Sequence, residues 1–517
     1  MAYNFKNIVD LAKVTEPTIF TDDQLVTINE LIKFQDYYDN KSFKYICEEY
    51  PEFRHGKVEG GDYKPAHIPL NYAKLIINKL AAWQFEKSID FNCTSVSTDS
   101  DDLKVINRSA VIEQDLYDIH KKNLMDIKLL QSAIESNISG GVVFKLKYDE
   151  KKKRPRILIR NRIECFPVCK FDDYEDIYKI HFIAFQDEKT IWKQTFELVE
   201  NPDGSKVCWV SEALFDTRDI KIPKQVIIEL RPLMINGKTL DFMPVYIIPN
   251  MAQLGEIFGP SDLRDLIPII DEINKKYSDL SDSLKFDMFA ITVFLNAKFP
   301  VDKNGKPELR NKAGAAWNVM GLSPNDTMKP DVFKLQGTFS YIETLKYHID
   351  SLIAALFEFS ECPNLSVDKI TGLGNLSGVA LKLLFASIVS KTNRKNTVWK
   401  AKLVEIYMGA LKIKQLTESY DIPEDLNIEI IIHDTLPQNE LEQLQIITAK
   451  LADGLISVIT AMNEIGIEDP EAEIVKILAE RLQYDKTLNI DTRNQSNTDT
   501  KTNTKTNTNQ DNQNGNQ

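Results

Sequence analysis

The sequence contains no Gly-x-x-x-x-Gly-Lys-[Ser/Thr] loop, so it offers no backbone cradle for nucleotide phosphates and is not expected to be a P-loop motor. Its six cysteines include no Cys-x-x-Cys pair and form no even ladder, which excludes the common zinc ribbons and the disulfide-stapled secreted scaffolds. A reducing cytosol is the simplest home for such thiols. No apolar run approaches the roughly 20 residues that a membrane helix needs, the stretch from Phe289 to Leu295 falling far short, and Met1 to Pro17 has no apolar signal core. The expectation is a soluble intracellular chain with no membrane partner. Positive charge is also short: 63 basic against 76 acidic residues leave a net charge of -13. A protein that grips nucleic acid by neutralising many phosphates is thereby excluded, although DNA can pass nearby without being wrapped.

What is present is a chain of 517 residues, 43% hydrophobic, too long for one ordinary core. The part up to about residue 135 reads as mainly helical. Thr21-Asp22-Asp23 caps a segment with Leu25, Ile28, Leu31 and Ile32 on one face, and Leu70 to Phe85 is a second amphipathic run with Trp83 and Phe85 as core candidates. From Gly140 the period becomes two, with Phe144, Leu146 and Tyr148 alternating with Lys145 and Lys147. Short strands and turn signals such as Asn201-Pro202-Asp203-Gly204 continue to about Ile248, which predicts a mostly antiparallel sheet.

After Gly259-Pro260-Ser261-Asp262, with Ser261 as the predicted cap, Leu263, Leu266, Ile270, Ile273, Tyr277, Leu280 and Leu284 follow at 3-4-3-4 spacing. Pro268 lies inside this stripe and is expected to kink it or mark a junction. Residues 291 to 340 interleave glycine and proline with short apolar runs, a small β-containing insert. The chain returns through Ile342, Leu345, Ile349, Leu352 and Leu356 at the same spacing, so the outgoing and returning helices can pack on each other. A Gly-rich loop holding Lys369, Gly372 and Gly374 precedes a long helical pattern opened by Ser377-Gly378. A helix of about 40 residues spans roughly 60 Å, so a kink is expected near Lys391-Thr392-Asn393. A strand at Ile428 to Ile432 follows. Three capped helices then begin after Pro437, at Ser457 and at Asp469-Pro470, and an Asn/Thr-rich tail from about Asp491 has almost nothing apolar to bury.

Residues that suggest chemistry are few, and each has a plainer reading. Gly372-Leu373-Gly374-Asn375-Leu376-Ser377-Gly378 imitates a dinucleotide fingerprint, but its last glycine comes one residue late and no strand precedes it. Cys165 and Cys169 lack a second ligand pair. His433-Asp434 reads as a turn. Asp172-Asp173 and Asp271-Glu272 are adjacent carboxylates, and neighbours on a helix diverge by about 100°. Lys151-Lys152-Lys153-Arg154 reads as a hairpin tip facing water.

Taken in order, several segments resemble the portal proteins of tailed bacteriophages, in the branch common in long-tailed phages of Gram-positive bacteria. They are Tyr37-Tyr38-Asp39-Asn40 with Ile68 to Ile77, Phe258-Gly259-Pro260-Ser261-Asp262-Leu263 through Asn274 and Tyr277-Ser278-Asp279, and Leu376-Ser377-Gly378-Val379-Ala380-Leu381-Lys382. Pro437 to Glu442, Gly454 to Ser457 and Asp469 to Glu473 close the series. Ala82-Trp83-Gln84-Phe85 departs from the family's usual glycine and proline there.

The resemblance implies an α+β, portal-type multi-domain fold. It has a β-rich wing (1–258, helical first), a stem helix (259–290), a small β-containing clip (291–340) and a second stem helix (341–361). A tunnel loop (362–376), a long kinked helix with a returning wing strand (377–436), crown helices (437–486) and a disordered tail (487–517) complete it. It further implies no enzyme activity and no cofactor or metal. The partners implied are further copies of the chain in a ring of usually twelve subunits, double-stranded DNA in the channel, the terminase large subunit, a head-tail adaptor, and capsid and scaffolding proteins. The location implied is the capsid portal vertex of the virion, with assembly in the host bacterial cytoplasm. Lys369, Gly372 and Gly374 would face DNA. The alternatives are a monomeric scaffold or adaptor displaying the insert, and a metal-dependent nuclease using Asp172 and Asp173.

Overall fold

The computed structural model describes residues 20–54, 64–95, 103–187, 189–217, 219–288, 291–298, 301, 320–321, 331–335, 342–364, 383–418, 422–423, 426–433, 440–467, 470 and 472–481. They divide into two compact units, Met1–Leu436 and Pro437–Gln517.

The first unit begins with α1 (Asp22–Tyr38). Thr21 Oγ1 accepts the Gln24 N–H and Gln24 Oε1 accepts the Thr21 N–H, a capping box that satisfies two end donors at once. Its buried stripe includes Ile28, Leu31 and Ile32. Next come α2 (Phe43–Glu49) and α3 (Tyr72–Phe85), whose cap Asn71 accepts the Lys74 N–H at 3.0 Å. Phe85 is buried and Trp83 is partly so. After β1 (Asp90–Ser95), α4 (Leu103–Lys122) and α5 (Met125–Ser139) complete the helical part.

The switch of period at Gly140 is real. β2 (Gly141–Asp149) and β3 (Arg154–Asn161) form a hairpin, and β4 (Cys165–Cys169), β5 (Ile177–Asp187), β6 (Thr190–Glu200), β7 (Lys206–Asp216) and β8 (Asp219–Pro232) form a five-stranded antiparallel meander. The Asn201-Pro202-Asp203-Gly204 turn joins β6 to β7, with Gly204 at φ 81. Short strands β9 (Met234–Ile235) and β10 (Lys238–Thr239) lead to β11 (Val245–Pro249), which joins the hairpin in the order β11-β2-β3.

Beyond this sheet runs α6 (Ile267–Met288). Strand β12 (Ile291–Leu295) follows, then β13 (Ala297–Lys298), β14 (Met320–Gly321) and β15 (Asp331–Leu335). β12 pairs with β15 and β13 with β14, so the described part of the insert is antiparallel β. The returning helix is α7 (Ile342–Phe359), and the long helix α8 (Ala386–Thr417) runs unbroken through Lys391-Thr392-Asn393. Trp399, Leu403, Ile406, Tyr407 and Ala410 of α8 share one core with Val142, Phe144 and Ile157 of the sheet. Gly409 permits that approach, because a Cβ there would overlap the Tyr246 hydroxyl. β16 (Leu426–Ile431) then returns to pair with β1, Asp90 opposite Ile431.

The second unit contains α9 (Glu440–Ala452), α10 (Val458–Ile465) and a further helical stretch at 472–481. Ser457 Oγ accepts the Thr460 N–H at the start of α10, and Gly466 ends it at φ 92.

Candidate functional site

Residues Phe258 to Leu263 join the sheets to the helix pair, and each has a physical task. Phe258 lies under the Arg162 guanidinium, 4.6 Å from carbon to ring centre. Gly259 donates its N–H to the Gly140 carbonyl at 2.9 Å, and a Cβ on it would overlap the Asn250 carbonyl, so only glycine fits. Ser261, expected to cap the helix, instead closes the turn before it: its Oγ accepts the Leu263 N–H at 3.1 Å, six residues ahead of the helix start at Ile267. Pro268 neither kinks nor divides a helix. Residues 262–266 form turns, α6 starts at Ile267, and Pro268 occupies its first turn, where a missing N–H costs nothing.

Asp262 is the centre of a buried ionic node. Its carboxylate meets Lys391 Nζ at 2.9 Å and also Lys395 Nζ. Lys391 donates to the Ser360 carbonyl at 3.1 Å, and Lys395 to Asn137 Oδ1 at 2.7 Å. The node therefore fastens the start of the outgoing segment, the end of α7, helix α5 and the first turns of α8. Burial by itself would raise the Asp262 carboxyl, but the two ammonium groups overcome it and hold the pKa at about 2. Burial pulls Lys395 below the ordinary lysine value, against the attraction of Asp262.

The apolar stripe changes character along the helix pair. Leu263, Leu266, Ile270 and Ile273 are buried among residues of α1 and α3 together with Leu356 and Phe357 of α7. Tyr277 and Leu280 are half-buried, and Leu284 is 44% exposed. On α7, which packs on α6, Ile349 and Leu356 are buried, Ile342, Leu345 and Leu352 are half-buried, and Tyr347 is 75% exposed.

A polar ladder that the stripe did not reveal holds the other face of α6. Asn274 Oδ1, Ser278 Oγ and Asp282 Oδ2 accept the backbone N–H groups of Leu70, Ile68 and Ala66 at 2.9, 3.1 and 2.8 Å. Four residues of helix rise about 6 Å and two residues of extended chain about 6.6 Å, so the two repeats stay in step over three rungs. The spacing Asn274-x-x-x-Ser278-x-x-x-Asp282 was visible in the sequence, but its backbone partners have no side-chain signature. Asp271 sits beside the ladder and accepts the Tyr37 hydroxyl at 2.7 and 2.9 Å; burial raises its pKa to about 6.

The other sequence candidates are dispersed. Asp271 and Glu272 diverge, Glu272 pairing with Lys275 at 2.7 Å. Burial, with Glu164 alongside, pushes the Cys165 thiol up, away from a zinc-binding thiolate, and Cys169 is only partly buried. His433 Nε2 reaches Asp90 Oδ2 at 2.6 Å and ties β16 to β1, while Asp434 lies outside the described residues. Lys151, Lys152 and Lys153 form an exposed hairpin tip. Asp172 and Asp173 lie in the exposed loop before β5. Lys369, Gly372, Gly374, Ser377 and Gly378 also lie outside the described residues. Among the described residues there is no cluster of three metal-ligating side chains, and no helix is long and apolar enough to cross a membrane.

No curated protein matches the chain. A family described as phage portal protein, SPP1 Gp6-like, matches residues 19–487.

Proposed function

Because the chain belongs to the phage portal protein family, we propose that its copies close into a ring of about a dozen subunits at one capsid vertex. The ring surrounds a channel through which double-stranded DNA enters during packaging and leaves during ejection. The role is structural rather than catalytic and uses no cofactor. The observation that carries this reading is the antiparallel pair α6 and α7, pinned at one end by the Asp262 node and carrying the β insert at the other. A stalked insert on a rigid base suits a docking face at the end of a pore.

In this assignment residues 1–258 with the strand at 426–431 form the wing, 259–290 and 341–361 the stem, and 291–340 the clip. Residues 362–376 form the tunnel loop, with Lys369, Gly372 and Gly374 facing DNA, and 437–486 the crown. The clip takes the terminase large subunit during loading and the head-tail adaptor afterwards, and capsid and scaffolding proteins contact the outside. The particle is assembled in the host cytoplasm and the protein remains in the virion. A net charge of -13 per subunit favours a channel wall that does not hold its cargo.

Negative-stain microscopy of the purified full chain tests the reading, with rings of about a dozen subunits expected. A strict monomer at every concentration overturns it. Deletion of residues 295–335 distinguishes a portal from a monomeric adaptor: rings should persist while attachment of the packaging motor is lost.

A further inference from the structure

Two surfaces of the first unit are apolar, rigidly held and oppositely charged. The first is a groove of about 660 Å3 between the loop 170–176, the loop 251–257 and helix α8. Ile177, Ile180, Val245 and Ile247 line it, together with Glu175, Asp176, Glu256, Glu405 and Lys402; Lys170 pairs with Asp176 and Lys402 with Glu405, so Glu175 and Glu256 carry its excess negative charge. Beside it Phe171 is fully exposed and Leu254 is 95% exposed. The Lys170 N–H bonded to the Asp176 carbonyl at 3.1 Å closes the loop that carries Phe171. Large apolar side chains so placed around an apolar hollow mark a surface that is covered in use.

The second surface is a knob. Leu124, between α4 and α5, is 64% exposed and Ile127 is 59% exposed. Leu124 also has φ 55, a left-handed backbone that glycine or asparagine would adopt at lower cost. A leucine there is unfavourable for the isolated subunit both in backbone and in solvation. Lys121 flanks it in sequence, and the hairpin tip Lys151, Lys152 and Lys153 is fastened alongside. Asn123 makes the fastening: its Nδ2 donates to the Ile119 and Pro155 carbonyls at 2.9 and 3.2 Å, and its Oδ1 accepts the Ile157 N–H at 3.0 Å.

The sheet β11-β2-β3 places the two surfaces at opposite corners. β11 lines the groove and pairs with the Gly141–Lys145 end of β2, whereas the knob adjoins the far end, where Asp149 pairs with Arg154. A subunit cannot fold its own knob into its own groove. Complementary patches on different sides of one molecule are what a head-to-tail contact between identical subunits requires, and such contacts form a ring where the rotation between subunits closes.

We propose that the acidic, apolar groove of one subunit receives the basic, apolar knob of Leu124 and Ile127 from the next. This contact rests on the ring reading above and adds to it a specific pair of faces. The full chain is compared with a groove variant, Glu175→Lys with Glu256→Lys, and a knob variant, Lys152→Glu with Lys153→Glu, by native mass spectrometry and microscopy. All four residues are exposed, so the melting temperature of the unassembled subunit serves as the folding control. Each variant should need about tenfold more protein to reach half-assembly, and the chain carrying both reversals should recover most of that loss. Wild-type-like assembly of either single-sided variant overturns the proposal while leaving the ring intact as a reading, as does a combined variant no better than the single-sided ones. Normal rings that fail to enter capsids would assign the groove to a capsid or scaffolding segment and overturn it too. Absence of rings in the wild type removes the ring reading itself.

Discussion

The two ends of the outgoing segment, Asp262 to Met288, share one apolar spacing and obey different rules. At its base Leu263, Leu266, Ile270 and Ile273 are no more than 2% exposed, and Asp262 is sealed against two lysines. A few turns on, Leu284 is 44% exposed, and across from α6 the returning helix leaves Tyr347 75% exposed. Heptad spacing determines which residues share a face; it does not determine what covers that face. The base is covered by the chain's own α1, α3 and α7, so its residues answer to folding. Among the described residues the far end is less covered, and if copies of the chain close into the proposed ring its residues answer to assembly.

The strongest way to break this contrast is at the node. Asp262→Ala leaves Lys391 and Lys395 buried without their carboxylate, and removing one partner from a buried pair costs about 3–5 kcal/mol. Urea unfolding of the purified subunit should show a loss of that size. Replacing Lys391 and Lys395 by Met in the same chain should recover much of it, since no uncompensated charge then remains. A loss under about 1 kcal/mol would mean that the base is held by its apolar contacts alone.

Acid titration sharpens the contrast, because the base carries two aspartates with opposite behaviour. Asp262 has a folded pKa of about 2, below its unfolded value, so its contribution is complete above about pH 4 and is lost as pH falls toward 2. That limb is worth roughly 2 kcal/mol. Asp271 has a folded pKa of about 6, above its unfolded value, because burial outweighs the Tyr37 hydroxyl and Lys33. Its ionisation therefore costs stability at neutral pH, and the loss is regained as pH falls from about 6 to 4. Asp271→Asn keeps an acceptor for Tyr37 and should raise the neutral-pH unfolding free energy by about 1–2 kcal/mol while flattening that limb. Parent and Asp271→Asn curves that stay parallel between pH 7 and pH 4 are incompatible with this account.

Much of the fold is legible because it follows from period and punctuation. Thr21, Ser457 and the Asn201 to Gly204 turn act where the sequence places them, and the change to period two at Gly140 marks the first hairpin. Three features resist such reading for physical reasons. Lys145 alternates with apolar neighbours as an outward residue should, yet it is 6% exposed, because β2 is the central strand of β11-β2-β3 and is covered on both faces. Its ammonium bonds to Gln194 and lies over the rings of Phe182 and Phe196. Lys391 and Lys395 are likewise buried, and nothing local in the sequence announces that Asp262 will be their partner. Pro268 suggests a kink because a run of turns at 262–266 keeps the same apolar spacing as a helix. The site shares this limit: spacing reveals the stripe, but not the ladder, whose partners are backbone groups.

The smallest effect on the subunit should come from the far end. Leu284→Ala with Tyr347→Ala removes side chains that are already 44% and 75% exposed, so unfolding of the isolated subunit should change by no more than about 1 kcal/mol. If that end is covered by neighbouring subunits, the same two changes remove apolar area from every interface of the ring, and assembly should suffer although the fold does not. Sedimentation and urea unfolding measured on the same preparations separate the two quantities. Loss of subunit stability with assembly unchanged would reverse the assignment, making the far end part of the fold rather than of the interface.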